Sequence, residues 1–208
     1  MSKMQRAVMT RLYRDAKGKP EGLPWHQEEP PEFLERVVTS REGAGRALDV
    51  GCGAGVFAAW MARQGLQVTA LDYLPDAIAM ACATAAQEGV EVELLETDLF
   101  GFEPDAPFDV VLDSGCMHNM GGAEVAAYRE RVLQWLAPGG DFVLSHWGKR
   151  HALDWRPIGP RRRTRETVER TFAPELELLE TATTDEQVPF PFGPRVRMAS
   201  YWFRRGSA

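Results

Sequence analysis

Four aspartates stand at or near the ends of short apolar runs: Asp49 in RALDV, Asp72 in LQVTALD, Asp98 in VELLETD and Asp113 in FDVVLDSG. Gly51, Gly53 and Gly55 follow the first of these at every second position. A glycine loop at a strand-to-helix turn lets the backbone come close to a charged ligand. A carboxylate one strand further on, Asp72, can accept hydrogen bonds from both hydroxyls of a sugar. Past Asp113 and Ser114 runs the loop GCMHNM, whose His118 could serve as a base or orient a substrate. His146, in LSHW, is a second candidate imidazole. Each residue also has a plain structural use. The glycines could serve a turn that needs positive φ, Asp98 could cap a turn, His118 could cap backbone, and Cys116 could be packing.

The elements that must hold these residues can be read from periodicity. Residues 46–50, 66–72, 90–98, 108–115 and 141–147 read as strands, and helical patterns over 55–64, 75–89 and 123–136 alternate with the earlier ones. That alternation predicts an α/β, Rossmann-like, doubly wound and mostly parallel sheet. The tail differs: helix TRETVERTF, then LELLETATTDEQV and VRMASYWFRR, joined by PFPFGP, predict a C-terminal antiparallel hairpin completing seven strands. Before Arg46, KMQRAVMTRLY places Met4, Ala7, Val8 and Leu12 near one helical face. PPEFLERVVTS does the same with Phe33, Leu34, Val37 and Val38, with its prolines at the helix start. The whole chain, 1–208, is expected to be one domain: a helical lid over 1–42, a core over 43–147, and a cover loop, helix and edge hairpin over 148–208.

Composition sets bounds. Among 208 residues, 44% are hydrophobic and 26% charged, an ordinary globular balance. The net charge of −6 argues against nonspecific nucleic-acid or membrane-surface binding. No apolar run reaches the roughly 18 residues of a membrane span, and the opening MSKMQRAVMTRLYRDAKGK lacks a leader's apolar centre. Cys52, Cys82 and Cys116 are an odd set without paired ligand spacing, so no metal site is expected and a reducing cytoplasm is the simplest setting.

The G-x-G-x-G spacing behind Asp49 resembles the first motif of class I S-adenosylmethionine-dependent methyltransferases. The landmarks at Asp72, Asp98, FDVVLDSGCMHNM and LAPGGDFVLSHW follow in that family's order, from about Arg46 to Trp147. The resemblance implies S-adenosylmethionine as cofactor and S-adenosylhomocysteine as product. The loop of Gly51, Gly53 and Gly55 would take the methionine tail, with backbone amides for its carboxylate and Asp49 for its ammonium. Asp72 would hold the ribose, Tyr73 would lie against adenine or ribose, and Asp98 with the Leu99 amide would meet the adenine. Asp113 and Ser114 would approach the tail and the methyl group, and His118 and Asp113 are the catalytic candidates.

GLPWHQEEPPEFLERVV is similar to the lid segment of the thiopurine, thiol/halide and tellurite-resistance-type methyltransferases, which places Trp25 beside the transfer pocket. The expected reaction is in-line displacement onto a small molecule, with a thiol or other soft nucleophile as one acceptor. O- or N-methylation with His118 as base is an alternative, as is a non-catalytic module binding the cofactor or its product. A nicotinamide-linked reductase fits less well, since Tyr128 is followed four residues later by Val132 rather than lysine. The basic run with Arg161, Arg162 and Arg163 is either a solvated loop or a draw for an anionic substrate, and Trp155 with PIGP suggests a substrate cover. A monomer or homodimer is expected.

Overall fold

The computed structural model describes residues 3–151, 153–154, 160–187 and 195–207. Strands β1 (Arg46–Val50), β2 (Gln67–Asp72), β3 (Glu93–Glu96), β4 (Phe108–Ser114), β5 (Leu136–Gly148), β6 (Leu176–Gln187) and β7 (Arg195–Arg205) form one sheet ordered β3-β2-β1-β4-β5-β7-β6. The first five pair in parallel, while β7 inserts antiparallel between β5 and β6. This is the predicted Rossmann-like sheet with its hairpin. The order turns back between β1 and β4, which opens a crevice at the C-terminal ends of these strands.

Helices α1 (Lys3–Asp15), α2 (Leu34–Thr39), α3 (Val56–Arg63), α4 (Pro75–Glu88), α5 (Gly122–Trp135) and α6 (Arg165–Phe172) cover the sheet. On one face Tyr128, Trp135 and Phe172 from α5 and α6 pack on Leu48, Val111 and Phe142. On the other, Val37, Val38, Ala58 and Met61 from α2 and α3 cover Ala47, Val110, Leu112 and Val143. Because strand side chains alternate, Asp49 and Ser145 share the face of α2 and α3, while Asp113 turns toward α5. Each large apolar side chain buried in these layers contributes about 1.5–3 kcal/mol.

Three local expectations are corrected. The side of α1 turned to the core carries the half-buried Met9 and the buried Tyr13, continued by Ala16 just past the helix, packed on Leu74, Ala77 and Met80, whereas Ala7 is exposed and Val8 is 52% exposed. Helical spacing allows either stripe, and the surface of α4 selects the one that carries the tyrosine. Second, α2 begins at Leu34, after Phe33 in a left-handed conformation (φ 76°), rather than at the prolines. Third, β5 starts at Leu136, which pairs with Phe108 across a register shift, so APGG lies within the strand. The hairpin connection PFPFGP and the Trp155–PIGP cover fall outside the described residues, apart from Pro160.

Candidate active site

The glycine loop leaves β1 and enters α3, and all three of its glycines have positive φ. Gly53 has φ 55°, and a Cβ there would lie 2.8 Å from the Tyr13 hydroxyl. Gly55, at the N-cap of α3 with φ 73°, would collide with Ala81 at 2.7 Å, so it permits close packing of α3 on α4. Gly51 lies against Cys116, whose Sγ would be 3.2 Å from an added Cβ.

The loop is not a set of free donors. The Gly51 and Cys52 amides donate to Leu71 O, and Gly55 N–H donates to Cys52 O. Gly53 N–H donates to Asp72 Oδ2 at 3.2 Å. The expectation that these amides wait for a ligand carboxylate is therefore corrected: β2 already accepts from most of them. What the loop offers is close backbone approach.

Three carboxylates converge behind it. Asp49 is 2% exposed, and its Oδ2 is buried without a hydrogen-bond partner. Burial pushes it up to about 7, with repulsion from Asp113 and Asp72 adding to the shift. Asp72, also raised by burial, accepts from Gly53 N–H and, at 2.9 Å, from Leu74 N–H. An ionised carboxylate has about four acceptor positions, so Asp72 retains capacity for further donors. Asp113 is fully buried and raised to about 6 by that burial, against hydrogen bonds that favour its charge. It accepts from Tyr128 O–H at 2.7 Å, Cys116 N–H at 2.6 Å and Met117 N–H at 3.0 Å. Asp113 thus shapes the loop after β4 from the α5 side. Burial and these acids push the Cys52 and Cys116 thiols well up, so both stay protonated.

The other candidates fall around this centre. Asp98 is exposed and accepts from Phe100 N–H at 2.9 Å, capping the turn Leu99–Gly101, and Leu99 packs at the edge of the core. Tyr73, pushed up to about 12 by burial and then Asp72, lies under the Arg6 guanidinium at 5.3 Å. Trp25 is 40% exposed and meets Tyr13 edge-on, with ring centroids 5.8 Å apart. Ser114 is half-buried where β4 ends.

His118 Nδ1 is buried without a partner, its ring 5.9 Å from His146 and 5.7 Å from Trp147. Burial, then the Arg163 charge, lowers it to about 3. His146 is fully buried; Arg163 donates to its Nε2 at 2.7 Å and its Nδ1 lies 2.8 Å from Trp147 O. That arrangement fixes a neutral ring with the proton on Nδ1. Arg163 also donates to Met120 O at 2.8 Å, and Arg162 is buried against Asp154 and lies 5.7 Å from the Trp147 ring centre. Arg163 pins the loop after β4 to the end of β5, and Arg162 is held by Asp154, so of the run only Arg161 is left to solvent.

Tyr13 is the residue that sequence reasoning passed over. It is 5% exposed, its hydroxyl faces the glycine loop, and burial followed by Asp72 raises its pKa. Its place one turn after Met9 and just before Ala16 was the available signal.

Residues 47–140 match the methyltransferase domain family. The match to that domain takes in the glycine loop, Asp72, Asp98, Asp113 and His118, and ends before the hairpin. The chain is 28% identical over 123 residues to a 2-heptyl-1-hydroxyquinolin-4(1H)-one methyltransferase of Mycobacteroides abscessus, covering 58% of this chain and 54% of that protein. It is 36% identical over 119 residues to a ubiquinone biosynthesis O-methyltransferase of Xanthomonas euvesicatoria, covering 55% and 48%. The chain thus spans about half the length of the curated relatives it matches. The N-methyltransferase NodS of Bradyrhizobium japonicum, solved with S-adenosyl-L-homocysteine, superposes with a TM-score of 0.70 at 21% identity, covering 96% of this chain and 97% of that one. The [4+2]-cyclase SpnF superposes at 0.74 with 20% identity, covering 97% and 95%. At such identities the likeness concerns the fold. Among the described residues no helix is long and apolar enough to cross a membrane.

Proposed function

We propose that the chain is an S-adenosylmethionine-dependent methyltransferase acting on a small molecule, and that its acceptor is a soft nucleophile, such as a thiolate, that needs no strong base from the protein. The observation that carries the cofactor is Asp49 Oδ2, a buried carboxylate oxygen with no partner behind a glycine loop. Leaving such an oxygen unpaired is costly, and a ligand cation that reaches it recovers that energy. S-adenosylmethionine has two cationic groups, and bound here it supplies a methyl group on an already electrophilic sulfonium. Asp49 would hold the ammonium, Asp72 the ribose hydroxyls, and Asp98 with the Leu99 amide the adenine edge. Tyr73, Trp25 and Tyr13 would enclose it, and Ser114 would border the transferring end. Class I methyltransferase landmarks in sequence order, and the matched domain, support this reading.

The soft-nucleophile part rests on basicity. His118, held near 3, binds a proton weakly, and Asp113 is engaged by Tyr128 and two amides. A group with so low a pKa is a poor general base near pH 7. Alignment and exclusion of water would then be the protein's main contributions. The lid-bearing subtype of the thiopurine and tellurite-resistance enzymes is part of the same proposal, supported by Trp25 packing on Tyr13 of α1.

Titration calorimetry should show S-adenosylmethionine and S-adenosylhomocysteine binding and no heat with NAD(H); the reverse pattern overturns the reading. Asp72→Ala should weaken that binding by about 1.5–3 kcal/mol, the scale of lost charge-assisted hydrogen bonds. A methyl-transfer screen over thiols, halides, phenols and amines, read as S-adenosylhomocysteine formed, tests the acceptor class. Turnover confined to phenols or amines would remove the soft-nucleophile assignment.

A further inference from the structure

Besides Asp49 Oδ2, two buried side-chain atoms among the described residues have no hydrogen-bond partner, Arg162 Nη2 and His118 Nδ1. Both belong to side chains that border one indole. The Arg162 guanidinium lies over the Trp147 ring at 5.7 Å, and the His118 ring centre is also 5.7 Å from it. We propose that they form the subsite for the methyl acceptor, in which Arg162 Nη2 anchors a carboxylate of that molecule and His118 Nδ1 gives it a second polar contact. The proposal rests on the methyl-transfer reading and deepens it by naming the charge of the substrate.

Three observations carry it. The first is position. Arg161 N–H donates to His118 O at 2.7 Å, Arg163 N–H to Trp147 O at 3.2 Å, and Lys149 N–H to Arg163 O at 3.1 Å. Residues 161–163 therefore run beside the end of β5, past the point where β4 stops at Ser114. Neighbouring side chains of an extended segment take opposite faces. Arg163 reaches His146 on the α5 face, so Arg162 and Trp147 fall on the face of Asp49 and Ser145. Trp147 stands two residues beyond Ser145, the register partner of Ser114, or about 7 Å along the strand. One substituted benzene ring spans that distance.

The second is the orphaned guanidinium nitrogen. The Arg162 side chain is 4% exposed, so water does not reach Nη2. Asp154 accepts from Nη1 and leaves Nη2 without a partner. An unpaired buried donor is costly, more so on a charged group, and a carboxylate gives a guanidinium its strongest hydrogen bonds. His118, held neutral, can carry its proton on Nδ1 and donate to the same group.

The third is charge. Arg150 and Arg162 share the one carboxylate of Asp154. Asp185, which also senses Arg150, is already held by Arg197 at 2.7 and 2.9 Å. Arg163 donates to uncharged partners, His146 Nε2 and the carbonyls of Met117 and Met120. Burial and then the Arg161 charge push its pKa down, against an opposing pull from Asp113. Among the described residues, cations thus outnumber acids around Trp147, and a bound anion restores the balance.

The test uses calorimetry with matched probes on protein saturated with S-adenosylhomocysteine at pH 7.5: 4-mercaptobenzoate, its amide and 4-mercaptobenzylamine, then benzoate, benzamide and benzylamine. In each set the carboxylate should bind at least tenfold more tightly than the amide, and the amine should not bind. The preference should stay at threefold or more in 0.5 M salt, because a buried contact is screened much less than a surface one. Arg162→Gln should bring it below threefold. Arg161→Gln, which removes an exposed charge of the same run, should not. If Arg162→Gln unfolds the chain by stranding Asp154, the double variant Arg162→Gln, Asp154→Asn gives the same reading without an unpaired charge. A wild-type preference under tenfold, a fall below threefold in salt or in Arg161→Gln, or threefold or more surviving without Arg162 would each overturn the assignment. Failure of the wild type to bind S-adenosylhomocysteine would instead overturn the methyl-transfer reading, with the carboxylate preference scored on the unloaded protein.

Discussion

Asp141 and Asp49 are both buried carboxylates on the α2 and α3 face of the sheet, and their surroundings differ in one respect. Asp141 accepts from Arg41, from Trp202 Nε1 at 2.8 Å and from Arg204 Nε at 2.8 Å. Arg41 extends the link to the carbonyls of Asp109 and Gly139, both at 3.3 Å. Asp49 has a buried oxygen that accepts from nothing. The first carboxylate is satisfied by its own chain and ties the turn after α2 to β4, β5 and β7. The second is left short where three acids converge and a loop passes without a side chain. Three donors serve one buried acid and an oxygen of the other has none, which under the proposed function separates a structural carboxylate from a ligand-binding one.

The sharpest way to break this contrast is to neutralise each member. Removing one partner from a buried, hydrogen-bonded ion pair typically costs about 3–5 kcal/mol. Asp141→Ala should therefore lower the melting temperature by roughly 6–20 °C, taking about 2–4 °C per kcal/mol for a chain of this size. Urea or thermal unfolding followed by circular dichroism measures it. A loss under 1 kcal/mol would mean that the guanidiniums find water and that the network is not structural.

Asp49→Asn should act in the opposite direction. With a folded value of about 7 against roughly 3.9 unfolded, Asp49 keeps its proton in the native state while the unfolded chain has lost it. Stability therefore falls as pH rises from about 4 to 7, and the loss is complete above 7. The amide removes that slope, although it is itself buried and imperfectly satisfied, which limits the gain at pH 8 to about 1–2 kcal/mol. The same variant should bind S-adenosylmethionine more weakly. In the wild type, affinity for that cation should increase from pH 6 to pH 8, with proton release at the lower pH. Calorimetry in buffers of different ionisation enthalpy reads the proton directly. A destabilised Asp49→Asn would return Asp49 to the structural class and erase the contrast.

Asp141 and Asp49 also differ in how far sequence reveals them. The order of strands, the glycine loop and the aspartates at strand ends were legible because each depends on local spacing: two residues per pleat, glycine where φ must be positive, an acid where a strand stops. Asp141 drew no attention, because its partners at 41, 202 and 204 come from remote segments and nothing near 141 marks them. Tyr13 was missed for a related reason, since α1 could present either of two apolar stripes and only α4 decides. Arg162 and Arg163 looked like surface because charge runs usually are. Asp154, Trp147 and the carbonyl of Met120 bury them, and those contacts are tertiary.

His118 supplies the smallest expected effect and the finest test of the division. Its Nδ1 is unpartnered like Asp49 Oδ2, yet the two titrate with opposite consequences. Held near 3 by burial and then Arg163, against about 6.5 when unfolded, the ring binds fewer protons in the native state than in the unfolded one. Its contribution to stability is full above pH 6.5 and is lost as pH falls toward 3. His146, lowered in the same sense by burial, adds to that slope. If His118 only orients, His118→Gln should leave kcat for a thiol within about tenfold, below the 10²–10⁴ that general bases typically contribute. The kcat profile between pH 5 and 8 should then carry no inflection that the variant removes. A hundredfold loss, with such an inflection abolished, would make His118 the base. It would also show that an unpaired buried atom here marks proton transfer as well as ligand capture, and the contrast drawn from Asp49 would have to be widened to include it.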